Sequence, residues 1–181
     1  MKKKKILFFA LILTFILAWS LMFYFIGPLI IIDNIGIQNS YIFLFFAGIF
    51  SGISLFFSAP YYETLSAFSS IGLNFIILGI IGGVGLTIGD SIYYYFGKKG
   101  EEELTGKIHQ KILKFSKWLV ERKYLVPIVS FLYFGFTPFP NGFLIIPLGL
   151  SEYPYKKLLI PLLIGNIALS IFTARYLYQL I

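Results

Sequence analysis

Residues Gly72–Phe96 read GLNFIILGIIGGVGLTIGDSIYYYF, and Asp90 is the one charge among them. A stretch of about 25 apolar residues is long enough to form a transmembrane helix. A carboxylate at membrane depth is costly and ordinarily faces a bundle interior or a wet cavity, so it marks a candidate functional centre. Asp90 lies eight residues before Lys98; at helical rise that is about 12 Å inside the basic boundary, close to mid-depth. Gly83, Thr87, Asp90 and Tyr94 recur at helical spacing. The small and polar residues on that face predict that it points into a bundle. Tyr93–Tyr95 near the helix end fit an interfacial aromatic belt. Two GxxxG spacings, Gly79/Gly83 and Gly85/Gly89, permit close helix approach and leave a homodimer open.

The rest of the chain has the same character. Hydrophobic residues make up 58% and charged residues 13%, with a mean hydropathy of +0.85. That composition excludes an ordinary soluble domain. There is no cysteine and a single histidine, His109. Disulfides, thiolate sites and multi-histidine metal centres are therefore excluded, and no cofactor or metal is expected. The net charge is +7, but the basic residues cluster at the ends of apolar runs. That placement reads as membrane orientation and anionic headgroups, not nucleic acid.

Lys2–Lys5 precede the apolar run Ile6–Ile26, which reads as an uncleaved transmembrane helix with a cytoplasmic N-terminus. Gly27-Pro28 should break it, and Asp33-Asn34 with Gln38-Asn39 should mark a polar external turn. This gives an N-terminal segment over 1–40 and a membrane domain over 41–181. Tyr41–Phe57 is apolar, and Ser58-Ala59-Pro60-Tyr61-Tyr62-Glu63 interrupts the pattern. Within 97–124, Leu104, Ile108, Ile112, Phe115 and Leu119 mark one helical face, and Lys107, Lys111, Lys114 and Lys117 surround the remainder. This predicts a basic amphipathic helix on the cytoplasmic surface, against anionic lipid. Leu125–Leu150 is broken by Thr137-Pro138-Phe139-Pro140-Asn141-Gly142. Neither limb is long enough to cross a core of about 30 Å, so the segment reads as a re-entrant hairpin. Leu158–Tyr178 is a last span, containing Pro161 and carrying Arg175 near its far end.

Charge selects among topologies. If Tyr41–Ser70 is a hairpin entered from outside, Gly72–Phe96 runs inward, and every basic cluster is then cytoplasmic. The predicted fold class is an all-α integral membrane protein of about three transmembrane helices. Two re-entrant helical hairpins of opposite orientation and a basic amphipathic surface helix complete it. Such an inverted-repeat-like plan suits a midplane site.

The chemistry is expected at the hairpin tips. Pro60 and Glu63 lie at the first, and Thr137, Pro138, Pro140 and Asn141 at the second. If the tips meet, Glu63 and Asp90 could share a proton or bind a cationic group. A carboxylate in low dielectric favours its neutral form, which makes both acids candidate proton carriers. Glu63, Asp90, Thr87, Tyr94 and Arg175 are the candidate proton or substrate path. Arg175 would pair with a carboxylate or phosphate, or else snorkel to the outer face.

The pattern Gly85-x3-Gly89-Asp90-x3-Tyr94-x2-Gly97-Lys98-Lys99 resembles the G-x-x-x-G-D-x-x-x-Y-x-x-G-R stretch of the DedA family, also called the SNARE-associated or VTT domain. Pro138-x-Pro140-Asn141 with Ile146-Pro147-Leu148-Gly149-Leu150 is similar to that family's second tip and its following P-A-G segment. Pro60-x-x-Glu63 resembles, more loosely, its acidic first-hairpin motif. The resemblance covers roughly Tyr41 to Ile181. It implies two re-entrant hairpins and movement of lipid across a bilayer, of phospholipid or of a polyprenyl-phosphate carrier. Glu63 and Asp90 would be the acids tied to the proton-motive force. The family's arginines flanking the second-tip proline correspond here to Gly135 and Asn141, so a phosphate-clamping pair is missing.

The leading expectation is a flippase- or scramblase-like lipid translocator, with proton coupling left open. The alternatives are a proton-coupled exporter of small cations or drugs, and a non-transporting membrane scaffold. An enzyme is not expected, because no nucleophile–base pair is visible. Expected partners are anionic membrane lipids and a second copy of the chain, not nucleic acid.

Overall fold

The computed structural model describes residue 14 and residues 28–53, 58–100, 114–115, 117–122, 124–137 and 139–177. The helices are α1 (Pro28–Ile35), α2 (Ile37–Ile53), α3 (Ser58–Ser70), α4 (Phe75–Gly100), α5 (Val126–Phe136), α6 (Gly142–Leu150) and α7 (Tyr155–Tyr176). No strand occurs among the described residues. The run Ile6–Ile26, most of the amphipathic segment with Lys107 and Lys111, and Pro138 lie outside them.

Among the described residues, only α4, with 26 residues, and α7, with 22, are long and apolar enough to cross a membrane. Gly79 and Gly83 pack on Ile171 and Ile167 of α7. Ascending numbers on α4 meet descending ones on α7, so the two long helices are antiparallel. Gly85 and Gly89 pack instead on Phe45 and on Ile49 and Gly52 of α2. Here both sets ascend, so α2 runs parallel to α4. The two GxxxG faces thus serve two neighbours within the chain, and a homodimer would have to use another surface.

Parallel neighbours in sequence order require a return limb. α3, 13 residues long, supplies it and packs on both α2 and α7. The second half repeats the plan. α5 packs on α7 at Gly135 and Gly165, and α6 packs on α4 where Gly97 and Gly149 let the backbones touch. Each long helix therefore holds the first limb of its own hairpin and the second limb of the other. Both hairpins also end alike. Gly72 adopts φ +94 and Glu152 φ +52, and the next amide reaches back five residues: Leu73 N to Phe68 O at 3.3 Å, Tyr153 N to Leu148 O at 3.0 Å. Such a left-handed residue with a long back-bond terminates a helix. Gly72 and Glu152 lie 80 positions apart, as do Gly85 and Gly165, and Pro60 and Pro140. The fold contains an inverted internal repeat.

One expectation needs correction. Residues 28–39 are not a polar turn but helix on both sides of Gly36, whose φ of +80 makes the break. Asn34 and Asn39 satisfy the carbonyls of Ile30 and Ile35 through their amides, at 2.7 and 2.6 Å. Polar residues here cap helical turns, as short amide side chains do, and do not open a loop.

Apolar side chains form the core and also cover much of the outside, while several polar ones are buried. Ile42, Phe46 and Phe50 on α2, and Ile128, Leu132 and Phe136 on α5, recur every four residues on exposed faces. Serine, threonine and asparagine at Ser40, Ser51, Thr64, Thr87, Ser130, Asn166 and Ser170 are buried.

Candidate functional site

Asp90 is 2% exposed, on the inward face of α4. Three pieces of chain converge on it. From one side comes the end of α2, because the glycine seam sets Gly52 against the backbone of Leu86, Gly89 and Asp90. From the other comes the tip of the second hairpin. Thr137 is extended, with φ −113 and ψ 140, as the residue before a proline must be, and this ends α5. Tyr133 Oη donates to the Pro140 carbonyl at 3.1 Å and braces the tip. The Asn141 carbonyl accepts the amides of Leu144 and Ile145, both at 3.0 Å, so Asn141 opens α6. Its side chain is left pointing at Asp90. The third piece is Asn166 of α7, 0% exposed.

The network is closed on its donor side. Asn141 Nδ2 donates to Asp90 Oδ2 at 2.7 Å and to Asn166 Oδ1 at 2.9 Å. Asn166 Nδ2 donates to the same Asp90 Oδ2 at 2.8 Å and to Thr87 Oγ1 at 3.2 Å. Thr87 Oγ1 donates to the Gly83 carbonyl at 2.8 Å. Each amide has used both its hydrogens. Such charge-assisted bonds hold the carboxylate in one orientation.

Beside Asp90 lies a cavity with about 20 Å³ of water-accessible space, enough for one water-sized occupant. Ser51, Ser58, Tyr62 and Asn141 line it together with Asp90. Along α4 the cavity sits roughly 22 Å from Phe75 and 15 Å from Gly100 at helical rise. α2 and the second-hairpin tip therefore both reach only part-way along the long helix.

The expected site residues divide clearly. Asp90, Thr87 and Asn141 are brought together, and Pro140 lines the same cavity. Tyr62, not Glu63, faces the cavity; Glu63 is half-buried and does not line it. Pro60 is buried in the first turn of α3, where its carbonyl accepts Thr64 Oγ1 at 2.8 Å. Thr137 Oγ1 donates to the Tyr133 carbonyl at 2.7 Å. Tyr94 turns away from Asp90, and its hydroxyl donates to the Tyr153 carbonyl at 2.5 Å. Arg175 lies at the opposite end of α4, with its guanidinium 5.1 Å from the centre of the Phe75 ring. Lys114 and Lys117 are exposed. Asn166 was not anticipated, although it is the one amide between Leu158 and Tyr178, and that isolation was its signal.

The repeat gives Asp90 a counterpart. Ser170 lies 80 positions after Asp90, and Asn141 lies 80 after Tyr61. Tyr61 Oη and Ser170 Oγ form a hydrogen bond of 2.8 Å, matching Asn141 to Asp90. One pole of the molecule carries a carboxylate and a cavity; the equivalent pole carries a neutral pair.

No family model, no curated protein and no solved structure matches this chain.

Proposed function

We propose that this chain is a membrane lipid translocator, flippase- or scramblase-like, of the DedA type. α4, α7 and the run Ile6–Ile26 would span the bilayer, and the two hairpins would re-enter it from opposite faces. The observation that carries the reading is the convergence of α2 and the second-hairpin tip on one buried carboxylate part-way along α4. A half-length hairpin leaves backbone at membrane depth, which is tolerated only around a protein-lined or wet path. The outward apolar faces of α2 and α5 support immersion in lipid. Exposed Lys98, Lys156 and Lys157 gather at one end, where Lys98 pairs with Glu152 at 3.3 Å, and this end would be cytoplasmic. Headgroups would pass between the hairpin tips as these part, and Asp90 would be the protonatable group in the path. Lys114 and Lys117 would lie against anionic headgroups.

The test is movement of a fluorescent lipid in proteoliposomes, with native chain beside Asp90→Asn, with and without a pH gradient. Native chain moves lipid; Asp90→Asn inserts and does not. Equal movement by both would remove Asp90 from the path. A second reading, a proton-coupled exporter of small cations, draws on the cation-sized cavity. It predicts that a small cationic substrate, not lipid, is moved and competed for.

A further inference from the structure

The cavity beside Asp90 contains an unmet demand. Ser51 is 4% exposed, lines the cavity, and its hydroxyl has no hydrogen-bond partner. A buried polar group left without a partner costs about 1–3 kcal/mol, so an orphan hydroxyl on a cavity wall is available to a ligand there. The carboxylate points the same way. Both amides bond to Asp90 Oδ2, and no hydrogen bond from a described residue reaches Oδ1. The amides have no hydrogen left to give it. Gly142 on the wall is the first residue of α6, and helix N-termini favour negative charge. No lysine, arginine or histidine lines the cavity to pair with Asp90.

We infer that this cavity binds one sodium ion, held by Asp90 Oδ1, Ser51 Oγ and neutral oxygens of the tip such as Asn141 Oδ1. The size fits, since the cavity admits one water-sized body. Charge fits as well: Asp90 alone among the lining residues is ionisable to a carboxylate, so a monovalent ion makes the site neutral. A divalent ion would leave a buried positive charge uncompensated. Oxygen donors without nitrogen or sulfur suit a hard cation, and sodium, the smaller of the two common alkali ions, makes the lesser demand on the space. The inference rests on the translocator reading only for its consequence, that sodium occupancy would couple to lipid movement.

The test uses the full chain in nanodiscs, melted in NaCl, KCl or choline chloride at equal ionic strength. A ligand that binds only the folded state stabilises it in proportion to the logarithm of saturation. The melting temperature should rise with sodium by roughly 5 °C or more at a hundredfold excess over Kd, and hardly at all with potassium or choline. Ser51→Ala loses one neutral ligand but removes an orphan hydroxyl, so it should fold and need roughly tenfold more sodium. Asp90→Asn should lose the response. Identical melting in the three salts, or a sodium response undiminished in Ser51→Ala, would overturn the assignment. A response to pH with none to sodium would overturn it too and give the cavity to a proton. Lipid movement is a separate readout: its absence with an intact sodium response would refute the translocator, not the ion site.

Discussion

Gly89→Ala is a one-methyl change with a calculable effect. A Cβ at position 89 would overlap the Ile49 carbonyl oxygen and lie 2.7 Å from Gly52 Cα and 2.9 Å from Gly52 C. These are backbone atoms of a facing helix, so no side chain can rotate away. α2 and α4 must separate by about 1 Å to restore ordinary contact, and overpacking of this kind costs about 1–3 kcal/mol. The loss extends along the seam, because Gly48 and Gly85 rely on the same approach. Taking about 2 kcal/mol, a chain of this size should melt roughly 4–8 °C lower. Gly135→Ala is the control. Its Cβ would come no closer than 3.4 Å to Gly165 Cα, an ordinary contact, and melting should move by about 1 °C. Thermal melting in one nanodisc composition compares the two. Separation at Gly89 also draws Gly52 and Ser51 from the cavity, so lipid movement should slow in Gly89→Ala and not in Gly135→Ala. Equal melting of the two variants would refute the parallel α2–α4 seam.

Asn166→Leu removes two of the bonds that orient Asp90 and Thr87, so lipid movement should fall at least tenfold in the proteoliposome assay, with stability lowered by about 2 kcal/mol. Tyr61→Phe acts at the neutral pole and unpairs the Ser170 hydroxyl; melting should drop by about 1 kcal/mol equivalent, while lipid movement stays near the native rate. Glu152→Gly relieves a left-handed residue worth about 1 kcal/mol and loses an exposed ion pair worth less, so its melting temperature should rise.

The helix limits were largely legible. Apolar runs bounded by Pro60, Gly72 and Thr137–Gly142 mark helices close to their observed ends, because those residues determine where a helix can start or stop. Asp90 was legible because a lone charge among apolar residues has few bland explanations. Asn166 is hard to read from sequence because an amide perturbs hydropathy less than a charge such as Arg175 in the same helix. Glu63 and Tyr62 are adjacent, and about 100° of helical rotation separates them; pattern alone could not say which faces the cavity. The repeat was hidden because its equivalent positions share geometry and not identity, as with Asp90 and Ser170, or Tyr61 and Asn141. Gly85/Gly89 announced a close approach, but that its partner is α2 in parallel could be seen only once the hairpin was folded back.

The chain has no cysteine, which makes one engineered pair decisive. Ser58 and Phe139 belong to different hairpins and line the same cavity. Ser58→Cys/Phe139→Cys, joined by a short reducible cross-linker in proteoliposomes, should hold the tips together. If headgroups pass between the tips, fluorescent-lipid movement stops on cross-linking and returns on reduction. Undiminished movement with the tips joined would contradict a path between the hairpins.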